Sequence, residues 1–146
     1  MIEKSLENIR KPLLNLKKMN TQTKEGIRKT IENLIATATT FDIDELDKIY
    51  HDSLHVLMID ASGQTMISNK QTFKDLFQTK LDNGDEPLNT WVEFIHIECN
   101  QTNGHAVLKR KVNLTGIEQK IALCIDLIWE DNRWQVTREV IFTAFA

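Results

Sequence analysis

The spacing of the apolar residues changes once along this chain, at Trp91, and that change constrains the fold more than any other feature. Before it, hydrophobic residues recur every three or four positions; after it, they alternate. "WVEFIHIEC", "HAVLKRKVNL", "QKIALCIDLIWE" and "RWQVTREVIFTAF" read as four long strands, divided only by "NQTNG", "TGIE" and "EDN". Connections this short join antiparallel neighbours, so the second half is a meander. Helices followed by a long antiparallel sheet make an α+β domain with the helices gathered on one sheet face.

The first half supplies those helices. Ile27, Ile31, Leu34, Ile35 and Ala38 share one helical face. Asp42, with Glu45 three residues on, opens a short helix whose apolar side is Leu46, Ile49 and Tyr50. "SLHVLMID" has a strand's composition and stops at "ASG". Asn69 is placed to cap a further helix carrying Phe73, Leu76, Phe77 and Leu81 on one side, and "DNGDEPLN" is a loop. Ahead of all this, Ile2, Leu6, Ile9, Leu13, Leu16 and Met19 mark an amphipathic helix bent near Pro12. Residues 1–22 are therefore expected to form a helical arm set apart from a domain spanning 23–146.

The chain has 146 residues, enough for one domain burying roughly 70% of its unfolded surface. A net charge of -3 argues against a nucleic-acid partner, which calls for a dense basic patch. The N-terminus has charges every few residues and no apolar block, so neither a signal peptide nor a membrane segment is expected. Cys99 and Cys124 lie far apart in apolar runs, which fits a reducing cytoplasm better than a disulfide.

Isolated charges in the apolar strands are the candidate functional residues. Asp126 alternates with Ala122 and Cys124, opposite Ile121, Leu123, Ile125 and Leu127; Arg110 shares parity with Ala106, Leu108 and Val112, and Arg138 with Trp134, Val136 and Val140. A carboxyl placed in such surroundings must be paired, hydrogen-bonded or neutral. A guanidinium cannot discharge itself, so it needs a carboxylate, a carbonyl cluster or an anion. For the arginines a salt bridge with Asp126, Glu93 or Glu139, a rim position reaching water and an anion-reading pocket all compete. Tyr50, His51 and His55 form a second polar group, in which His51 is also placed to cap the short helix. Asp60, beside "ASG", is a turn former or a base. The histidines and cysteines lack metal-ligand spacing, no serine sits in a nucleophile elbow and the glycines form no phosphate loop, so neither metal nor cofactor is expected. The third strand of the meander is apolar almost throughout, which predicts cover on both faces, most simply from a second subunit in a homodimer.

The order of elements, with "DIDELDKIYHDSLHVLMIDASG" and the ending "EDNRWQVTREVIFT", resembles the nuclear transport factor 2-like superfamily over about residues 23 to 145. The ending is most similar to the branch named for lumazine binding, with polyketide-cyclase-like proteins as near relatives. The resemblance implies a cone in which a curved, mostly antiparallel sheet wraps the helices. It also implies a dimer with a pocket at the open end that binds small molecules in many members and is catalytic in some. Ketosteroid isomerases in the superfamily keep an aspartic acid protonated on a comparable strand, which falls on Asp126 here; their general base falls on Met58, with Asp60 two residues on, and their tyrosine on Leu34. The leading expectation is thus a small-molecule-binding homodimer, its pocket formed from Tyr50, His51, Met58, Arg110 and Arg138. The alternatives are a cyclase- or isomerase-like enzyme using Asp126 and Asp60, and a non-catalytic protein-interaction module.

Overall fold

A computed structural model describes residues 21–113 and 116–143, so nearly all of the expected N-terminal arm lies outside the described residues. Helix α1 (Lys24–Thr39) starts at Thr23, whose Oγ1 accepts the Gly26 N–H. Helix α2 (Ile43–Ile49) starts at Asp42, whose side chain accepts the Glu45 N–H, and runs directly into strand β1 (Tyr50–Ile59). Tyr50, expected on the apolar side of the helix, has extended backbone and is the first strand residue. Strand β2 (Thr65–Asn69) follows, then α3 (Lys70–Asp82), capped by Asn69. The meander is β3 (Val92–Cys99), β4 (Asn103–Val112), β5 (Gln119–Glu130) and β6 (Arg133–Thr143). Asp131 and Asn132, with φ of 55° and 60°, turn β5 into β6.

The six strands form one sheet in the order β2-β1-β6-β5-β4-β3, antiparallel except between β1 and β6. Strand β2 has no counterpart in the sequence reading. Its residues "TMISN" bury only Ser68 and lie on the edge, so the apolar pattern that betrays an inner strand is missing.

The helices cover one face of the sheet, called inner below. Ile27, Ile31 and Leu34 of α1 and Phe73 and Phe77 of α3 meet Ala106, Leu108, Leu123, Ile125 and Val136 in a single core. Gly104 of β4 sets how closely α1 approaches, since a Cβ there would meet Ile27 Cδ1 at 2.3 Å. Alternation along β4 and β5 is as expected: Ala106, Leu108, Arg110 and Val112 point inward, as do Ile121, Leu123, Ile125 and Leu127. Strand β6 breaks the rule. Val136 pairs with Leu127 and Arg138 with Asp126, which leaves Thr137 as an extra residue. Beyond that bulge the parity inverts, so Glu139 and Ile141 face inward and Arg138 faces out. No helix among the described residues is long and apolar enough to cross a membrane.

Candidate functional site

Between the helices and the inner face lies a cavity of about 40 Å³ whose apolar walls come from α1, α3 and strands β4 to β6. Three polar side chains reach it: Tyr50 from the start of β1, Arg110 from β4 and Glu139 from β6. All three are buried, with 2%, 6% and 4% of their surface exposed. Each is fixed by its strand position. Arg110 lies between Val92 and Ile121 in the ladder, and Glu139 lies between Val56 and Ile125.

Their hydrogen bonding is incomplete. Arg110 Nη2 donates to the Asn89 carbonyl at 2.8 Å, while its Nε is buried with no partner. The Tyr50 hydroxyl donates to Glu139 Oε1 across a long 3.5 Å. Burial pushes the Glu139 carboxyl up from 4.5 to about 7, although the Arg110 charge and the Tyr50 hydroxyl both pull it down. Burial likewise raises the Tyr50 phenol well above its ordinary value, with Glu139 adding to the effect. The Arg110 guanidinium is drawn below its ordinary value by burial, against Glu139 and Tyr50. A proton can therefore reside on Glu139 near neutral pH, beside a cation with an open donor.

The segment of residues 83–91, between α3 and β3, adds to the site. Leu88, 9% exposed, is part of the cavity wall, and its N–H donates to the Thr39 carbonyl at the end of α1. Asn89 presents its carbonyl to Arg110 and its side-chain amide to Glu118 Oε1, 3.1 Å away.

No protein-family model and no curated protein matches this chain. Solved structures do. A protein of unknown function from Shewanella baltica superposes with a TM-score of 0.67 at 12% identity, covering 84% of this chain and 94% of its own. A protein from Cytophaga hutchinsonii gives 0.64 at 17% identity, covering 82% and 97%, and one of unknown function from Pseudomonas putida gives 0.61 at 15%, covering 84% and 87%. All three are described as nuclear transport factor 2-like. The fold is nuclear transport factor 2-like.

Within that nuclear transport factor 2-like fold, the residues singled out from the sequence separate into three places. Tyr50 and Arg110 meet in the cavity. Asp126 and Arg138 sit together on the outer face of the sheet, where Asp126 Oδ1 is 2.6 Å from His105 Nδ1 and its Oδ2 is 3.8 Å from Arg138 Nε. A protonated aspartic acid donating into the cavity is not what β5 builds, because Asp126 points away from it. That cluster borders a shallow cleft of about 710 Å³, floored by β4 and β5 beside Asn100 and Asn103.

The remaining positions are peripheral. Asp60 Oδ1 accepts from Ser62 N, Ser62 Oγ and Gln64 N at 2.9, 2.6 and 2.9 Å, and these bonds, the Ser62 hydroxyl first, hold its carboxyl below the ordinary value. It is a turn former at the surface. His51 faces Ser53 and Glu130 at the rim, with Nε2 2.5 Å from Glu130 Oε2, and does not cap α2. Arg133 Nε reaches the Lys48 carbonyl of that helix instead. Met58 is buried on the inner face beside Ile141 but is not part of the cavity wall. Glu139, Leu88 and Asn89 went unrecognised as site residues in the sequence.

Proposed function

We propose that this chain binds a small molecule at the inner cavity, with a polar head at Arg110, Tyr50 and Glu139 and its apolar part among wall residues that move aside to admit it. One observation carries the reading: a permanently charged guanidinium, nine-tenths buried, lines a hollow and has a buried donor with no partner. Leaving such a donor unmet costs about 1–3 kcal/mol, more for a charged group, so evolution toward packing alone would favour an apolar residue there. Ligand pockets of this kind are apolar with a few placed polar groups. The ending "EDNRWQVTREVIFT", which resembles the lumazine-binding and polyketide-cyclase-like branch, is what supports placing the chain near that branch.

Thermal unfolding in the presence of small acids, amides and alcohols tests the reading, because a ligand of the native state raises Tm with its concentration. At least one class stabilises the wild type, and Ala38→Met, which fills the cavity from α1, removes the effect. If no class moves the Tm, the cavity is not a binding site.

A specific feature of the outer face supports the expected homodimer. Ile67, Leu57, Val140, Cys124 and Val107 are successive cross-strand partners, an apolar row running through five strands, with Ile67 69% exposed. A second copy packed on this row would cover it. Sedimentation of the wild type at micromolar concentration gives twice the chain mass and Val140→Glu gives the monomer; a monomeric wild type rejects the interface.

A further inference from the structure

We infer that the ligand of the cavity is an organic acid bound as its anion, which enters by displacing the 83–91 loop and takes a proton onto Glu139 as it binds. This rests on the reading of the cavity as a small-molecule site and names the class that the site accepts.

The guanidinium supplies the first argument. Nε and Nη2 lie on the same edge of its plane, the edge that grips a carboxylate through two parallel hydrogen bonds. Here that edge is half used, since Nη2 holds the Asn89 carbonyl and Nε holds nothing. A backbone carbonyl offers a dipole where the buried cation calls for a full negative charge. Glu139 supplies it only in part: its charge and that of Arg110 favour each other, but burial drives the carboxyl toward its neutral form and no direct salt bridge joins the two. An incoming carboxylate fills both positions, but only if the Asn89 carbonyl leaves.

The size of the cavity supplies the second. A water needs roughly 10–15 Å³ of such a hollow, so about 40 Å³ has room for a carboxyl group and little else. Anything longer must pass Leu88. Three hydrogen bonds tie the loop beside the cavity, from the Leu88 N–H to the Thr39 carbonyl, from Arg110 to the Asn89 carbonyl and from the Asn89 side chain to Glu118. Gly84 near its start has a φ of +66° that glycine adopts freely, so the loop can move once those bonds exchange. Its movement withdraws the Leu88 plug and the Asn89 carbonyl together.

The proton follows from charge. A carboxylate seated on Arg110 shares the cavity with Glu139, and two like charges in a buried site cannot both stay ionised. The Glu139 carboxyl, already raised to about 7, is the group that takes the proton. Binding is then linked to proton uptake above neutral pH, and affinity falls roughly tenfold per pH unit there.

The test is calorimetric titration of the full chain with butyrate, hexanoate and benzoate, and with the amides and alcohols of the same skeletons, from pH 5.5 to 8.5. Carboxylates bind, and their affinity drops about tenfold per unit above pH 7. Glu139→Gln binds them with that slope abolished, Arg110→Met loses them at least a hundredfold, and Leu88→Ala shifts the preference toward longer chains. Amides or alcohols binding as well as the acids would overturn the inference and leave the cavity reading standing, as would carboxylate binding insensitive to pH in the wild type. Unchanged chain-length preference in Leu88→Ala would remove the loop from the entry route. No binding by any of the three classes would overturn both readings.

Discussion

Strands β4, β5 and β6 carry an acid and an arginine on each face of the sheet, and the two sets behave differently. Inside, Arg110 and Glu139 line one cavity without a direct salt bridge, and burial raises the Glu139 carboxyl to about 7 against the pull of the Arg110 charge. Outside, Asp126 lies between His105 and Arg138, and the arginine side chain is 61% exposed. The residue types are alike; water is what separates them. A surface acid can turn to a neighbour or to solvent, whereas a buried one keeps its proton unless the gain from pairing exceeds the cost of desolvation. The inner set therefore keeps a titratable acid and an unmet donor, and the outer set is satisfied by itself.

The largest contrast is expected from neighbours on β6. Ile141 is 2% exposed on the inner face and Val140 is half-buried on the outer one. Ile141→Ala should cost about 2–5 kcal/mol in urea unfolding, the range for truncating a buried aliphatic residue. Val140→Ala should cost below about 1 kcal/mol if that face is free. A loss at Val140 that matches Ile141, and that depends on protein concentration, would mean the outer face is buried in an assembly.

Next in size is the pH dependence of the inner acid. Glu139 holds in the folded chain a proton that the unfolded chain releases above about pH 4.5, so its contribution to stability is complete below that value. It is lost as pH rises through about 7, by an amount on the order of 3 kcal/mol. Glu139→Gln cannot lose it. The variant should melt with the wild type near pH 4.5 and several degrees above it at pH 8. Equal melting at both pH values would mean that Glu139 is paired after all.

How much of this could be read beforehand depends on the strand. The α+β order, the meander and the caps at Asp42 and Asn69 follow from local chemistry and were legible. Arg110 was legible as a charge sharing a face with Ala106, Leu108 and Val112, because β4 alternates without interruption through it, but alternation did not say which way that face points. Glu139 was not. Strict alternation from Trp134 and Val136 places Arg138 with the core residues, and only the extra residue at Thr137 exchanges it for Glu139. The apolar run Val140, Ile141 and Phe142 fits either register, so it gave no warning. Asp126 was seen as unusual, but its alternation with half-apolar neighbours names a face without saying which way that face points. Leu88 and Asn89 were invisible for a different reason: a loop residue's role depends on what the chain folds back onto, and periodicity carries nothing about that.

The smallest effect should come from breaking the outer pair. Asp126→Asn removes a partner of both His105 and Arg138 at a half-exposed site, where such interactions contribute about 0–1 kcal/mol. The cost should shrink further between 50 mM and 1 M salt, because the charges are within reach of screening ions. The same substitution should leave the pH dependence assigned to Glu139 untouched, since the sheet itself separates the two sets. A cost of several kcal/mol that resists salt would put Asp126 in a dry environment. On the outer face only a covering partner can provide one, so the smallest predicted effect is also a sensitive test of whether the sheet stands alone.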